Sequence, residues 1–435
     1  MSRVVVVGGG FGGTAAAARL AKLGHEVVLV ERLPRLGGAL RLIERDGFAW
    51  DAGPTSTALP AVLRDLFRKS GRPLERELDL VPVQPLREHR FADGTVLSLP
   101  SGSRSAQLEA VAAALGAGPA RAWVDYVHEH AETWDVLRRT FLERPYDPEH
   151  VDRRANALLR TRTSLHKVVT RRLRDRRLQA VALSRALVDG QDPRRLPAWA
   201  GMWAYVEQSF GTWTVPGGLG RLAGTLGKRL AERKVDVRLG TEVKDLRLEG
   251  GRVTGVTTAE DPLDADVVVC AMDPRRLPAL RPYVPRSSPA IPPAVCHVGL
   301  EGDVPRLPHE LVVHGEGTFV VRTGGTAPEG GAAWTVLARG SSSGDVLEAL
   351  AGHGIDVRRQ VRVRLDRTPQ EQVQELAGSE YGSLWRGRAS TARMLRLGNL
   401  PVDGVYLAGA YATAGPQLPL VGLTSAVVAE RVGRA

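Results

Sequence analysis

The 435-residue sequence predicts an α/β fold that combines a Rossmann-type dinucleotide-binding domain, a β-rich region and a helical insertion. Three observations lead to this prediction. The four valines at residues 4–7 form a fully apolar run, followed at once by a glycine-rich turn and an alanine-rich stretch. Segments of helical periodicity occupy residues 105–208. Alternating strand and helix patterns then resume from Gly217.

The predicted elements follow the chain in a simple order. The N-terminal part has a strand at 4–7, a helix to Lys22 that stops before Gly24, and a second strand at 26–31. A helix at 59–70 and a hairpin at 78–99, turning at 92–94, come next. After the helical region we expect a helix to Arg233, strands at 235–239, 242–248, 252–257 and 267–271, a helix near 344–354, a strand at 405–408 and a helix at 420–432.

Because strand and helix units reappear after the insertion, the domains are predicted to be discontinuous. We assign a dinucleotide-binding domain to residues 1–70, 212–285 and 398–435. A β-rich substrate domain is assigned to 71–101 and 286–397, and a helical insertion or cap to 102–211.

Composition places the chain among ordinary globular proteins and excludes disordered and fibrous classes, since 43% of residues are hydrophobic and 25% are charged. Two cysteines make no disulfide framework, and no Cys or His spacing indicates a zinc site, so no metal is expected. The first residues lack a signal-peptide pattern, and no window reaches the about 18 to 20 apolar residues of a membrane span. The sequence therefore predicts a cytoplasmic protein.

A dinucleotide site is predicted at the first glycine-rich turn. Gly8, Gly10 and Gly13 satisfy G-x-G-x-x-G between a buried strand and a helix. The first glycine permits the tight turn, the second lets the backbone approach a pyrophosphate, and the third lets helix and strand pack closely. The amides and dipole of the helix N-terminus bind the phosphates. Glu31 ends the second strand, where its carboxylate accepts ribose hydroxyls and disfavours a 2′-phosphate.

Further motifs connect this site to a known family. The paired Gly37-Gly38 and the segment Phe48-Ala49-Trp50-Asp51-Ala52-Gly53-Pro54-Thr55 follow Glu31. With these residues the sequence resembles the FAD-dependent phytoene desaturase family, within the wider group of flavin amine oxidases and protoporphyrinogen oxidases. The segments at 213–222, 265–274 and 404–426 are similar to the same family.

The resemblance implies FAD as the cofactor, bound by a glutathione-reductase-like domain. The flavin then takes hydride from the substrate. It also implies that the last helix begins beside the flavin, where its free amides stabilise negative charge. Where the family usually has a more glycine-rich loop, this chain has Pro419-Leu420 and Thr424-Ser425, which leaves the substrate class open. The residues placed at the cofactor are Gly8, Gly10, Phe11, Gly12, Gly13, Glu31, Arg32, Gly37, Gly38, Ala39, Pro54, Thr55, Val243, Ala271, Gly409, Ala410, Leu420 and Val421.

The substrate that the resemblance implies is hydrophobic, either an isoprenoid or a specialised metabolite. No second nucleotide fingerprint follows an apolar strand, so electrons are expected to leave to an external acceptor, oxygen or a quinone. Sequence alone names no acid–base residue, because distance along the chain is not distance in space. Trp203, Tyr205, Trp213 and Tyr411 flank the cofactor motifs and either line an aromatic substrate pocket or pack the domain junction.

The formal charge of +11 is concentrated in one stretch. Residues 153–177 contain nine Arg and one Lys against one Asp. Interleaved with leucines on a helix, this stretch either rests on anionic lipid or forms a solvated face. No nucleic-acid-binding module accompanies the charge, so nucleic acid is not an expected partner. His128 and His130 lie about 200° apart on a helix, which predicts a solvated surface there and not a metal site.

Three functions fit the sequence. The first is an FAD-dependent desaturase or dehydrogenase of a hydrophobic, isoprenoid or specialised-metabolite substrate. The second is a flavin amine oxidase. The third is a non-catalytic prenyl- or lipid-binding carrier on the same fold, against which the intact G-x-G-x-x-G motif and Glu31 argue.

Overall fold

A parallel sheet lies at the centre of the Rossmann-type unit in the computed structural model, which describes residues 1–315, 317–340, 344–398, 400–412 and 415–435. Its middle strand, β1 (Arg3–Val7), is buried on both of its faces, which explains the run of valines at residues 4–7. The predicted α/β class with a Rossmann-type sheet is confirmed. The five strands lie in the order β10 (Asp236–Arg238), β2 (Glu26–Val30), β1 (Arg3–Val7), β14 (Val267–Cys270) and β20 (Val405–Leu407).

Four helices pack around this sheet: α1 (Phe11–Lys22), α2 (Pro60–Ser70), α10 (Arg221–Glu232) and α14 (Leu418–Val432). Ala15 to Ala18 are completely buried in α1, because small side chains let this helix approach the strands and α14 closely. One hydrophobic cluster joins β1, α1, α10 and α14 on one face of the sheet. Residues 413 and 414, within the predicted closing segment at 404–426, lie outside the described residues.

A second sheet forms the β-rich region. Its strands lie in the order β19 (Val361–Arg367), β15 (Ala294–Glu301), β18 (Gly331–Arg339), β17 (Gly317–Arg322), β16 (Glu310–Gly315), β7 (Arg87–Arg90) and β8 (Val96–Leu99). Neighbours are antiparallel except β16 and β7, and the predicted hairpin within 78–99 is β7 and β8. Helices α11 (Val346–Gly352), α12 (Pro369–Leu376) and α13 (Arg388–Leu397) belong to the same part of the chain.

Small sheets connect these parts. They are β11 (Val243–Glu249) with β12 (Arg252–Thr258) and β13 (Leu263–Asp264), β3 (Leu42–Arg45) with β4 (Phe48–Asp51), and β9 (Thr212–Thr214) between β5 (Thr57–Ala58) and β6 (Val81–Pro82). Because β9 directly follows the helical region and pairs with both β5 and β6, it fixes the end of that region to the N-terminal part of the chain.

The helical region is confirmed as helical, but its arginine-rich stretch is not one helix. Asp152, Ser164 and Asp175 each accept a hydrogen bond from a backbone amide and so start three separate helical segments. The prediction of a single helix over 153–177 is therefore wrong. The helices are α3 (Arg104–Leu115), α4 (Ala117–His128), α5 (His130–Leu137), α6 (Arg153–Leu159), α7 (Leu165–Arg172), α8 (Arg176–Val188) and α9 (Met202–Phe210), with a π-helical turn at Arg138–Leu142.

The helical region also corrects the expectation for the histidine pair. His128 is exposed, but His130 is buried edge-on against the ring of Tyr126, with ring centroids 5.0 Å apart. Burial lowers the pKa of His130 to about 4. Across the part of the chain that the structure describes, no helix is both long and apolar enough to cross a membrane.

Candidate cofactor and substrate site

The glycine turn between β1 and α1 is packed so tightly that two of its glycines leave no room for a Cβ atom. A Cβ on Gly13 would lie 1.9 Å from the carbonyl oxygen of Gly8. A Cβ on Gly12 would lie 2.6 Å from the amide nitrogen of Gly409. Gly10 differs, because a Cβ there would meet no atom within 4 Å. The turn therefore closes around backbone on one side and leaves open space beside Gly10 on the other.

Glu31 lies at the end of β2 and faces this turn. Its Oε2 accepts a hydrogen bond from the amide of Gly9 at 2.6 Å, and its Oε1 accepts one from the amide of Leu33 at 2.7 Å. The carboxylate is thus fixed in orientation by the backbone. Since each carboxylate oxygen can accept more than one hydrogen bond, Glu31 keeps capacity for ribose hydroxyls.

Asp51 connects two of the sequence motifs across 169 residues. Its carboxylate accepts hydrogen bonds from the amides of Gly220 at 2.6 Å and Leu219 at 3.1 Å, at the start of α10. Burial raises the pKa of Asp51 to about 6, although these two amides oppose the shift. The acidic residue of the segment at 48–55 therefore holds the glycine-rich entrance of α10 in place.

A cavity of about 330 Å³ extends from the glycine turn into the space between the second sheet and the helical region. This volume falls at the lower end of the range for small-molecule sites. The cavity is lined by sixteen of the residues predicted at the cofactor: Gly8, Gly10, Phe11, Gly12, Glu31, Arg32, Gly37, Gly38, Ala39, Pro54, Thr55, Val243, Ala271, Gly409, Ala410 and Val421. Two others do not line it: Gly13 packs against Gly8, and Leu420 lines a neighbouring pocket.

The four aromatic residues divide into two pairs. Trp203 and Tyr411 line the cavity. Tyr205 and Trp213 line neither this cavity nor the smaller pocket beside it. Tyr205 packs edge-on against Phe210 in the helical region, and the indole nitrogen of Trp213 donates to the carbonyl of Phe210 at 3.0 Å. For this second pair, packing at the junction is what the structure shows.

The residues at the turn fit a dinucleotide such as FAD. The open space beside Gly10 faces the cavity, and the first amides of α1 have no acceptor within the helix. The hydroxyl of Thr55, also on the cavity wall, is buried without a hydrogen-bond partner among the described residues. The N-terminus of α14 opens onto the same cavity through Leu418 and Pro419, where its dipole favours negative charge. These features match phosphates at α1 and an electron-accepting ring near α14.

Sequence reasoning missed a set of charged and polar side chains on the far wall of this cavity. We call this set the polar band; it consists of Arg87, Arg185, Asp189, Glu207, Glu310, Arg322, Glu380 and Tyr381. The residues come from β7, α8 and the position directly after it, α9, β16, β17 and the loop after α12, and no motif joins them. An acidic residue beside a tyrosine within a glycine-rich loop, at Glu380-Tyr381, is the only local signal among them.

A second pocket of about 100 Å³ lies inside the helical region beyond the polar band. Its wall is mostly apolar, and the residues that it shares with the larger cavity are Arg87, Arg185, Asp189, Trp203, Glu207, Pro416 and Gln417. The two spaces therefore meet at the polar band. Apolar residues that line the second pocket include Leu86, Leu99, Leu165, Val181, Leu196, Trp199, Met202 and Leu420.

The fold and the glycine turn define an FAD-binding α/β oxidoreductase, and comparison with known proteins agrees. A family model described as flavin-containing amine oxidoreductase matches residues 11–308. This chain belongs to that family. FAD is its cofactor, and the chain is an enzyme of the oxidoreductase class. The third hypothesis, a non-catalytic lipid-binding carrier, is therefore excluded.

Curated relatives give a narrower comparison. The chain is 30% identical, over an alignment 488 positions long with gaps, to a hydroxyneurosporene desaturase of Cereibacter sphaeroides, covering 99% of this chain and 97% of that protein. It is also 30% identical over 344 residues to a phytoene dehydrogenase of Streptomyces griseus, covering 74% of this chain and 66% of that protein. The resemblance to the phytoene desaturase family is confirmed.

Solved structures share the fold at low sequence identity. Cyclohexylamine oxidase from Brevibacterium oxydans superposes with a TM-score of 0.70 at 16% identity, covering 99% of both chains. A putative protoporphyrinogen oxidase from Exiguobacterium sp. 255-15 gives 0.66 at 17% identity, covering 99% of this chain and 98% of that one. These similarities concern the fold alone.

Proposed function

We propose that this protein desaturates an isoprenoid polyene, converting a carbon–carbon single bond into a double bond with FAD as the oxidant. The observation that supports this most directly is similarity over 99% of the chain to a protein named for desaturating hydroxyneurosporene. The apolar pocket inside the helical region, which opens into the larger cavity, suits a hydrocarbon chain.

The proposal gives each part of the chain a task. The stretches 1–70, 212–285 and 398–435 hold FAD, with the α1 amides at the pyrophosphate, Glu31 at the ribose and the α14 N-terminus at the ring system. The β-rich stretches 71–101 and 286–397 and the helical stretch 102–211 enclose the substrate and keep water from the reacting carbons. Bound FAD supplies the capacity to accept a hydride from carbon.

The experiment mixes the purified, oxidised holoenzyme with candidate substrates in the absence of oxygen. Phytoene and hydroxyneurosporene, delivered in uncharged detergent micelles, are compared with cyclohexylamine and putrescine. We expect a polyene to bleach the flavin absorption at about 450 nm. The polyene should also gain a double bond, which shifts its own absorption spectrum to longer wavelength. Bleaching by the amines alone would overturn the proposal in favour of an amine oxidase.

The same preparation identifies the electron acceptor and the place of action. We propose that oxygen or a quinone takes the electrons, so admitting either one restores the flavin absorption, whereas NADP⁺ does not. We further propose a cytoplasmic protein that meets the membrane through the arginine-rich stretch at 153–177, where its hydrophobic substrate resides.

A further inference from the structure

Desaturation removes two different groups from neighbouring carbons of the substrate. A hydride leaves one carbon for bound FAD, and a proton leaves the next carbon, whose C–H electron pair becomes the second bond between the two. The proton therefore needs an acceptor that reaches the substrate beside the cofactor.

The residues that line the cavity restrict the choice of acceptor. Among the described lining residues there is no His, Lys or Cys, and arginine stays protonated, so carboxylates and tyrosines are the candidates. Burial raises the pKa of Tyr381 and of Tyr411, to about 12 for Tyr411, so neither phenol is ionised at neutral pH. A carboxylate is left as the acceptor.

Among the described residues eight carboxylates line the cavity, and six of them are held by other groups. The backbone amides of Gly9 and Leu33 donate to Glu31. Five more carboxylates each form an ion pair: Glu207 with Arg185, Glu242 with Lys244, Asp273 with Arg275, Glu310 with Arg322 and Glu375 with Arg367. A paired carboxylate is a weak base, because its partner stabilises the charged form.

Asp189 and Glu380 remain, and they border different spaces. Asp189 lies where the cavity meets the second pocket, and the side-chain amide of Gln417 donates to its Oδ2 at 3.1 Å. Glu380 lines the cavity but not the second pocket. In the described part of the chain no cation forms an ion pair with Glu380, and the arginines around it act only through space.

Glu380 lies beside the stretches that form the cofactor site. Its Oε2 is so close to Gly53, in the segment at 48–55, that a Cβ added there would lie 3.0 Å from it. The loop that carries Glu380 is fixed from the other side, where the amide of Ser379 donates to the hydroxyl of Tyr411 at 2.6 Å. Both neighbours, Gly53 and Tyr411, line the cavity themselves. The carboxylate is thereby held at the cofactor wall.

The surroundings of Glu380 give its carboxyl group the acid strength that a proton acceptor needs. Burial raises its pKa to about 7, and the positive charge of Arg322 is the strongest opposing influence. The charged and titratable groups that face it are Arg41, Arg322, Arg339, Arg367 and Tyr381. A base works best when its pKa lies near the working pH, because it is then ionised and still able to hold a proton.

We infer that Glu380 is the catalytic base of this desaturation, and that its carboxylate takes the proton from the carbon next to the one that loses the hydride. This inference rests on the proposed function and assigns its proton transfer to one residue. The product keeps the electron pair of the broken C–H bond as its new double bond, the hydride resides on FAD, and Glu380 passes its proton to water.

The test follows flavin bleaching in single turnovers of the holoenzyme without oxygen, with phytoene or hydroxyneurosporene in uncharged micelles. For the wild type we expect the bleaching rate to rise about tenfold per pH unit up to about pH 7 and then to level off. Glu380→Gln, which keeps the side-chain shape, should be about 100-fold slower or worse above pH 7 and should lose the rise. Glu380→Asp, which restores a carboxylate, should regain the rise with pH.

Two further variants locate the effect. Glu329→Gln removes an exposed carboxylate outside both pockets and should match the wild type. Asp189→Asn should keep the rise with pH, whatever its effect on the maximal rate. Retained flavin absorption shows that each variant is folded.

Two readouts do not depend on turnover. In infrared difference spectra of the oxidised holoenzyme without substrate, a carbonyl band of a protonated carboxyl group should disappear as the pH rises through about 7, and Glu380→Gln should lack this band. Polyene binding to dithionite-reduced holoenzyme, followed by tryptophan fluorescence, should differ by less than about threefold between Glu380→Gln and the wild type. A role in the proton step alone predicts both results.

A wild-type pH profile in Glu380→Gln would overturn the inference and leave the proposed function intact. Loss of the rise in Asp189→Asn alone would do the same, because it would move the proton transfer to Asp189. An infrared band that titrates in Glu380→Gln as in the wild type would also overturn the inference. Bleaching by neither polyene would overturn the proposed function and the inference together.

Discussion

Gly13 and Gly10 belong to one motif but do different physical work, which two variants can separate. In Gly13→Ala the new Cβ would meet the carbonyl oxygen of Gly8 at 1.9 Å, and no flexible side chain can move to relieve it. We expect the free energy of unfolding to fall by about 3 kcal/mol or more, measured by urea denaturation of the apoprotein.

The matched variant is Gly10→Ala. Gly10 has a backbone conformation open to any residue, with φ −70° and ψ 179°, and a Cβ there meets nothing within 4 Å. The apoprotein should keep its stability, whereas affinity for FAD falls about tenfold or more, since the methyl takes the space beside the pyrophosphate. Equal effects of the two substitutions on apoprotein stability would contradict this division.

Asp51 makes the stability of the fold depend on pH. Its pKa rises on folding from 3.8 to about 6 because of burial. Between these values the folded state binds a proton that the unfolded state has lost, so stability decreases as the pH rises from about 4 to about 6. Through this group the free energy of unfolding falls by about 3 kcal/mol, and the fall is complete above about pH 6.

Asp51→Asn removes the charge while its side-chain oxygen can still accept from the amide of Gly220. We expect this variant to lack the decrease, so its stability exceeds that of the wild type increasingly from pH 4 to 6. Urea denaturation at intervals of half a pH unit measures the difference. Parallel stability curves for the two proteins would show that Asp51 does not titrate in this range.

At the level of elements, the arginine-rich stretch presents mainly charge, with Leu158 and Val168 only partly buried. Leu165, Val169, Leu173 and Leu178 are buried in the core of the helical region and are not available for insertion into lipid. Within the described residues, ion pairs engage Arg154, Arg172 and Arg177. The cations that remain exposed are Arg153, Arg160, Arg162, Lys167, Arg171, Arg174 and Arg176. Contact of this surface with a membrane should therefore be mainly electrostatic.

We therefore expect binding to vesicles that contain phosphatidylserine and none to phosphatidylcholine vesicles, measured by co-sedimentation. Changing Arg171, Arg174 and Arg176 to Gln should weaken this binding about 100-fold, at about 1 kcal/mol per cation near the surface. Added salt should release the wild-type protein.

The control changes Arg286, Arg306 and Arg359 to Gln, which removes the same charge from exposed sites outside the stretch. It should bind like the wild type. If both triple variants lose binding equally, the net charge and not the stretch at 153–177 is responsible.

At the level of the whole molecule, the parts that sequence predicted are those governed by neighbours along the chain. The turn from Gly8 to Gly13 follows from backbone requirements within six residues, and strand β1 follows from an uninterrupted apolar run. The resemblance placed Gly409 in the site, and the structure shows its amide against Gly12.

The rest depended on contacts between distant residues. The polar band unites residues as far apart as Arg87 and Glu380, and no local pattern reports that their side chains converge. The sequence left open whether Tyr205 lines a pocket or packs at the junction; its ring packs edge-on against Phe210, a contact that depends on tertiary packing. The single helix expected at 153–177 failed because capping side chains at Ser164 and Asp175 interrupt it.

The cavity also predicts how the cofactor affects stability. Its wall is built from stretches that are remote in sequence, including residues within 7–12, 37–40, 241–243, 271–276, 409–411 and 416–421. A ligand that contacts all of them binds only when they are assembled, so FAD adds to the stability of the folded state by mass action. At free FAD 100 times its dissociation constant, the gain is about 2.7 kcal/mol.

Apoprotein prepared by removing the flavin should therefore melt at a lower temperature, and its melting temperature should rise with the logarithm of added FAD. Riboflavin, which lacks the pyrophosphate and adenosine, should give little increase, because it leaves the α1 amides and Glu31 without a ligand. Gly10→Ala should need a higher FAD concentration for the same increase. A melting temperature that is independent of FAD would mean that these stretches are held together without the cofactor, and that the glycine turn does not couple cofactor binding to folding.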